Sequence, residues 1–209
     1  MALAYASGRL DSFPMIPAFV LVFLAVAYRV LTGLWIHSGS TWLSNFAPLA
    51  AIVLCGAAFF PKGFKFTVPL IALFLSDAIL NYYYNAPLFT PLMLCRYLAL
   101  GLVGWIGMSL QNRASLKALL PATVVASVLF YAITNTFAWL SDPGYVKNLA
   151  GLIQALTIGL PQYNSTPSWM FFRNSLLSDL FFTLFFVTCM NFGRNLERSR
   201  ARTTIPGTA

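Results

Sequence analysis

The stretch "SLLSDLFFTLFFVTCM" at residues 175–190 carries a single charge, Asp179, in a run that is otherwise uncharged and rich in Leu and Phe. Extended back to residue 169, the run is long enough to cross a bilayer core of about 30 Å as a helix, which takes about 20 residues. The whole chain shares this character. Of its 209 residues, 59% are hydrophobic and 9% charged, where a soluble domain carries about 25% charged residues. An all-α membrane bundle follows, a single domain over 1–209, with room for about six spans.

Six apolar segments stand out, at about 16–36, 44–60, 66–82, 91–110, 118–139 and 169–190. The second and third are short for full spans. Pro17, Pro48, Pro69, Pro91 and Pro121 fall near the segment starts, where proline's missing N–H would have had no partner. Cys55, Cys95 and Cys189 lie inside apolar runs without metal-ligand spacing and read as packing residues.

The net charge of +8 reads as membrane orientation, not nucleic-acid binding. Arg9, Lys62, Lys65, Arg113, Lys117, Arg194, Arg198, Arg200 and Arg202 fall in alternate loops and in the tail 191–209. All land on one side if both termini are cytoplasmic in a cell inner membrane. Trp35, Trp42, Tyr82, Tyr83, Tyr84, Trp139, Tyr145 and Trp169 would then belt the outer interface. The loop 141–168 holds "VKNLAGLIQALTIGL", too short to span, read as an outer surface or re-entrant helix. It either seals the interface or serves as a lid. "NST" at 164–166 matches a glycosylation sequon, a pattern frequent by chance.

Five ionisable residues sit inside spans: Arg29, Asp77, Arg96, Arg173 and Asp179. Such groups are costly in a bilayer and face a partner or a watery cavity. The polar residues Asn45, Asn81, Asn135 and Asn174 share their bias toward the outer half, and Ser127 and Tyr131 continue the Asn135 stripe. One shared outward-facing pocket is the economical expectation, with Arg29, Asn45, Asp77, Asn81, Arg96, Asn135, Arg173, Asn174 and Asp179 as substrate-binding candidates. Both carboxylates are then expected near arginines. Three cations against two anions would leave one guanidinium for an anionic or polar ligand. The competing reading is structural: Arg–Asp pairs that only pin helices together. Leu-Ser-Asp occurs twice, at 75–77 and 177–179, in spans of opposite direction, as an inverted repeat or as coincidence.

Enzyme signatures are missing: HExxH, GxGD and GxxxxGK[ST] do not occur, the one histidine is His37, and no lysine lies within a span. No catalytic residue, metal or cofactor is expected. Ala47, Ala51, Cys55 and Ala58, and likewise Gly101, Gly104 and Gly107, form small-residue faces for close helix contact, inside the chain or with a partner.

The segments "NFAPLAAIVLCGAAFFP" at 45–61, "VPLIALFLSDAIL" at 68–80, "ITNTFAWLSDPGYVKNLAGLIQAL" at 133–156 and "FFRNSLLSDLFF" at 171–182 resemble a bacterial family of uncharacterised S components of energy-coupling factor (ECF) transporters. The resemblance implies a six-helix membrane subunit that captures a vitamin or other small-molecule nutrient from outside. It also implies two kinds of partner, a transmembrane scaffold subunit and cytoplasmic ATPases. Span one lacks the AxxxA spacing with which many S components dock to that scaffold. The other reading is a non-transporting membrane scaffold subunit.

Overall fold

The computed structural model describes residues 15–37, 45–61, 63–162 and 166–203. The described residues form helices α1 (Met15–His37), α2 (Leu49–Phe59), α3 (Thr67–Tyr83), α4 (Pro91–Ser109), α5 (Leu116–Ser141), α6 (Leu149–Thr157) and α7 (Ser168–Thr203), with a 3₁₀ turn at Gln111–Arg113. Four of them, α1, α4, α5 and α7, are long and apolar enough to cross a membrane. Arg9, Trp42, Lys62 and the sequon residues Asn164 and Ser165 lie outside the described residues, as do the side chains of Arg198, Arg200 and Arg202.

The second expected span is corrected most. Helix α2 has 11 residues, about 16 Å of rise and half a hydrocarbon core. Prolines set both limits. Pro48 takes the position before the first helical residue, and a residue preceding proline avoids the helical region. Asn45, with φ 63°, turns the chain in before that. At the far end Phe60 is extended (φ −75°, ψ 148°) because Pro61 follows it. Helix α3, with 17 residues, also falls short of 18. The last helix is longer than expected. It runs 36 residues to Thr203, since "NFGRNLERSRART" contains no proline, so the basic tail is helical up to that point.

All eleven residues of α2 are buried, and the helix packs against α1, α3, α4, α5 and α7. The short helix α2 is thus the axis of the bundle. The others form an incomplete ring around it: α3 packs on α1, α1 on α7, α7 on α5 and α5 on α4, while α3 and α4 barely touch. The small residues serve this packing inside the chain. A methyl on Gly107 would lie 2.4 Å from the Leu54 carbonyl oxygen of α2, and one on Gly104 would strike the Phe66 ring. Gly101 faces open space instead.

Of the basic residues, Lys65, Arg113, Lys117 and Arg194 gather at one end, while Lys147 and Arg173 lie toward the other. Lys65 donates to the Gln111 side-chain oxygen, and the Arg194 guanidinium lies 5.5 Å from the Phe59 ring centroid. At the opposite end Tyr84 Oη donates to the Gly33 carbonyl at 2.8 Å. There α6, the expected extra helix, covers α5 and α7. Asn148 caps α6 by accepting from Gly151 N–H at 2.9 Å, and Trp139 Nε1 donates to the Val146 carbonyl at 2.9 Å.

Candidate functional site

The two Leu-Ser-Asp triplets do different work. Asp77 of α3 is buried between α1 and α4. Arg29 Nη2 donates to its Oδ1 at 2.5 Å, and Tyr97 Oη donates to its Oδ2 at 2.8 Å. Arg96 Nη1 stands 3.7 Å from Oδ1. Ser76 completes the cluster, accepting from Arg29 Nη1 while donating to the Leu73 carbonyl at 2.7 Å. A charge removed from water needs such a shell, since Coulomb attraction alone does not offset desolvation.

Asp179 of α7, only 1% exposed, has no cation beside it among the described residues, contrary to expectation. Its Oδ1 accepts the backbone N–H of Ala51 at 2.9 Å. Its Oδ2 accepts from Ser127 Oγ at 2.8 Å. The first N–H groups of a helix have no partner within it. Pro48, at the capping position of α2, has no side-chain oxygen to offer. Leu49 N–H is bonded to the Ala47 carbonyl at 2.9 Å, and Asp179 takes that of Ala51 from another helix. A carboxylate at the positive end of a helix dipole is also favoured electrostatically. Asp179 is thus the N-cap of the buried axis, supplied by a neighbouring helix. One turn further in, Thr123 and Thr183 hydroxyls meet at 2.9 Å, and Cys55 Sγ lies 3.9 Å from Thr183. The counterpart of Ser76 differs too: Ser178 is buried with no hydrogen-bond partner among the described residues.

Above Asp179, away from the basic end, lies a cavity of about 470 Å³. Helix α5 lines it with Ser127, Phe130, Tyr131, Thr134 and Asn135, the start of α7 with Ser168, Phe171, Phe172 and Ser175, and the turn before α2 with Asn45. Tyr131 forms a wall: its hydroxyl donates to the Leu156 carbonyl of α6 at 2.9 Å, and its ring lies 4.7 Å from that of Phe172. Asn135 Nδ2 donates to the Tyr131 carbonyl at 3.0 Å, which leaves its Oδ1 without a partner among the described residues. Asn45 Nδ2 reaches the Phe171 carbonyl at 3.5 Å. Hydroxyls, amides and aromatic faces line the space, and no ionised group does.

Of the nine expected site residues, Asn45 and Asn135 line the cavity. Asp179 lies beneath it, one hydrogen bond away through Ser127. Arg173 and Asn174 flank it on α7. Asn174 Oδ1 accepts from Arg173 Nε at 3.2 Å and Nη2 at 3.1 Å, and the exposed guanidinium lies 5.6 Å from the Trp169 ring centroid. Arg29, Asp77 and Arg96 form the separate cluster on α1, α3 and α4, and Asn81 lies one turn beyond Asp77, partly exposed. The polar groups therefore divide between two places. Thr134, Ser168, Ser175 and the three phenylalanines were not legible as lining, because serine, threonine and phenylalanine occur throughout the spans and carry no periodic signal.

No curated protein and no solved structure matches this chain. The sequence model of DUF6580 matches residues 11–200, and the chain belongs to that family, whose function is unknown.

Proposed function

We propose that this protein is a substrate-binding membrane subunit, similar in role to the S components of ECF transporters, which captures a small polar nutrient such as a vitamin. The cavity between α5 and α7 carries this reading. Its volume of about 470 Å³ lies within the range of small-molecule sites, about 300–1,000 Å³. Its position opposite the basic end makes it outward-facing once the basic loops are cytoplasmic in an inner membrane. The lining pairs Phe130, Phe171, Phe172 and Tyr131 with the amides of Asn45 and Asn135, which suits an uncharged polar ring stacked on aromatic faces. The size favours a flavin- or thiamine-sized molecule over a corrinoid. Energy for uptake would come from a transmembrane scaffold subunit and cytoplasmic ATPases, since the chain carries no nucleotide-binding motif of its own.

A non-transporting scaffold subunit is the second reading. The buried Arg29–Asp77 pair and the Asp179 cap favour it, because both are structural, yet it leaves the cavity without a use.

Thermal unfolding in detergent with riboflavin, thiamine, cobalamin and queuosine each added in turn tests the binding reading. One of them raises the melting temperature, and Asn135→Leu removes that increase while the ligand-free protein melts nearly as before. Protection that survives Asn135→Leu together with Asn45→Ala would place binding elsewhere and remove the basis of the proposal.

A further inference from the structure

We infer, on the reading of the α5–α7 cavity as the binding site, that it takes a ligand supplying N–H and O–H donors and rejects carboxylates and phosphate esters. The protons of its lining are largely engaged already. A hydroxyl has one proton to give and two lone pairs, an amide two protons and two lone pairs. Ser127 Oγ donates to Asp179 Oδ2 at 2.8 Å. Tyr131 Oη donates to the Leu156 carbonyl at 2.9 Å, and Thr134 Oγ1 to the Phe130 carbonyl at 2.8 Å. Asn135 Nδ2 donates to the Tyr131 carbonyl at 3.0 Å, and Asn45 Nδ2 to the Phe171 carbonyl at 3.5 Å.

The receiving groups fix these directions. They are backbone carbonyls and a carboxylate, which accept only, and an amide turned over would set oxygen against oxygen. Among the described residues nothing donates back to the oxygens of these five lining side chains. Lone pairs are therefore what they hold out to a ligand. The donors left are few: the second N–H of each amide, and the hydroxyls of Ser168 and Ser175, which can turn either way.

Charge acts in the same sense. Asp179 lies under the floor, joined to it through Ser127, and the α2 dipole offsets its charge only in part. Arg173 is turned to the Asn174 amide and the Trp169 ring and does not line the cavity. An anion entering here would lose its hydration without meeting a charged donor. An aromatic ring bearing amino or hydroxyl groups meets both demands. Its face lies against Phe130, Phe171 and Phe172, and its protons meet the lone pairs. An analogue with a methyl in place of the amino group leaves those acceptors unmet, which is the condition for strong discrimination.

Three probes of one shape test this: 2-aminopyrimidine, 2-methylpyrimidine and pyrimidine-2-carboxylate. Their binding to the protein in detergent is followed by saturation-transfer NMR, and Ser175→Phe measures uptake outside the cavity. 2-Aminopyrimidine should bind about fivefold or more tighter than 2-methylpyrimidine, the carboxylate should bind least, and Ser175→Phe should remove the difference. Asn135→Leu should narrow the preference for the amino probe. Thr134→Val should do so too and changes a single hydroxyl to methyl, so it remains informative if Asn135→Leu does not fold. Equal binding of the amino and methyl probes, or tighter binding of the carboxylate, with Ser175→Phe still blocking uptake, would overturn the donor rule and leave the cavity as a site. A preference unchanged in both lining variants would overturn it as well. Uptake of all three probes that is the same in the wild type and Ser175→Phe would remove the binding reading itself, and this inference with it.

Discussion

Asp179→Ala should be the most damaging single substitution within the α2–α5–α7 core, with a loss of about 3 kcal/mol or more. The carboxylate is almost inaccessible, and its truncation strands the N–H group of Ala51 and the hydroxyl of Ser127 away from water. Each buried donor left unpaired costs about 1–3 kcal/mol. The loss falls on the helix that every long neighbour packs against, so it is felt as global destabilisation. Asp179→Asn keeps one acceptor oxygen and should recover part of the stability. Asp179→Leu fills the volume without an acceptor and should not. Thermal melts in detergent, followed by near-ultraviolet circular dichroism, rank the three. An alanine variant as stable as the asparagine variant would mean that the cap contributes nothing.

Asp77→Ala should cost a similar amount, about 3–5 kcal/mol, for a different reason. Arg29 would remain buried with only Ser76 to accept its protons, beside Arg96 with no intervening anion. Removing both charges relieves this: Arg29→Met with Asp77→Leu should regain most of the stability, which makes the pair strongly non-additive. Tyr97→Phe removes one hydrogen bond to the carboxylate and should cost about 1 kcal/mol. A double variant as unstable as the sum of its parts would contradict the pairing.

These two carboxylates show what was legible in the sequence. That a charge inside an apolar span must have a partner follows from the bilayer as solvent, and both have one. Which partner it has does not follow. Arginines at suitable depth foretold the ion pair of Asp77, whereas the partners of Asp179 are a backbone N–H and a serine hydroxyl. A backbone N–H becomes available only where a helix starts inside the protein, and Pro48 is the one local sign of that start. The same proline explains why 44–60 reads as a span by hydropathy, yet only Leu49–Phe59 is helical. Apolar content is equally high in a lipid-facing helix and in a fully enclosed one, and α2 is of the second kind. The extra helix between the fifth and sixth apolar segments was legible from its length and flanking turn residues. The separation of the polar groups into two sites was not, because depth in the bilayer says nothing about position around the bundle.

The most direct measurement is native mass spectrometry of the protein extracted gently from membranes, compared with Ser175→Phe. Ser175 lines the cavity, and a benzyl group there takes up space that a ligand needs. The wild type is expected to carry a small molecule of defined mass, and the variant to be folded and empty. A wild type that stays empty after incubation with a pool of water-soluble vitamins, or a variant that retains the same bound mass, would contradict the assignment of the cavity as a nutrient site.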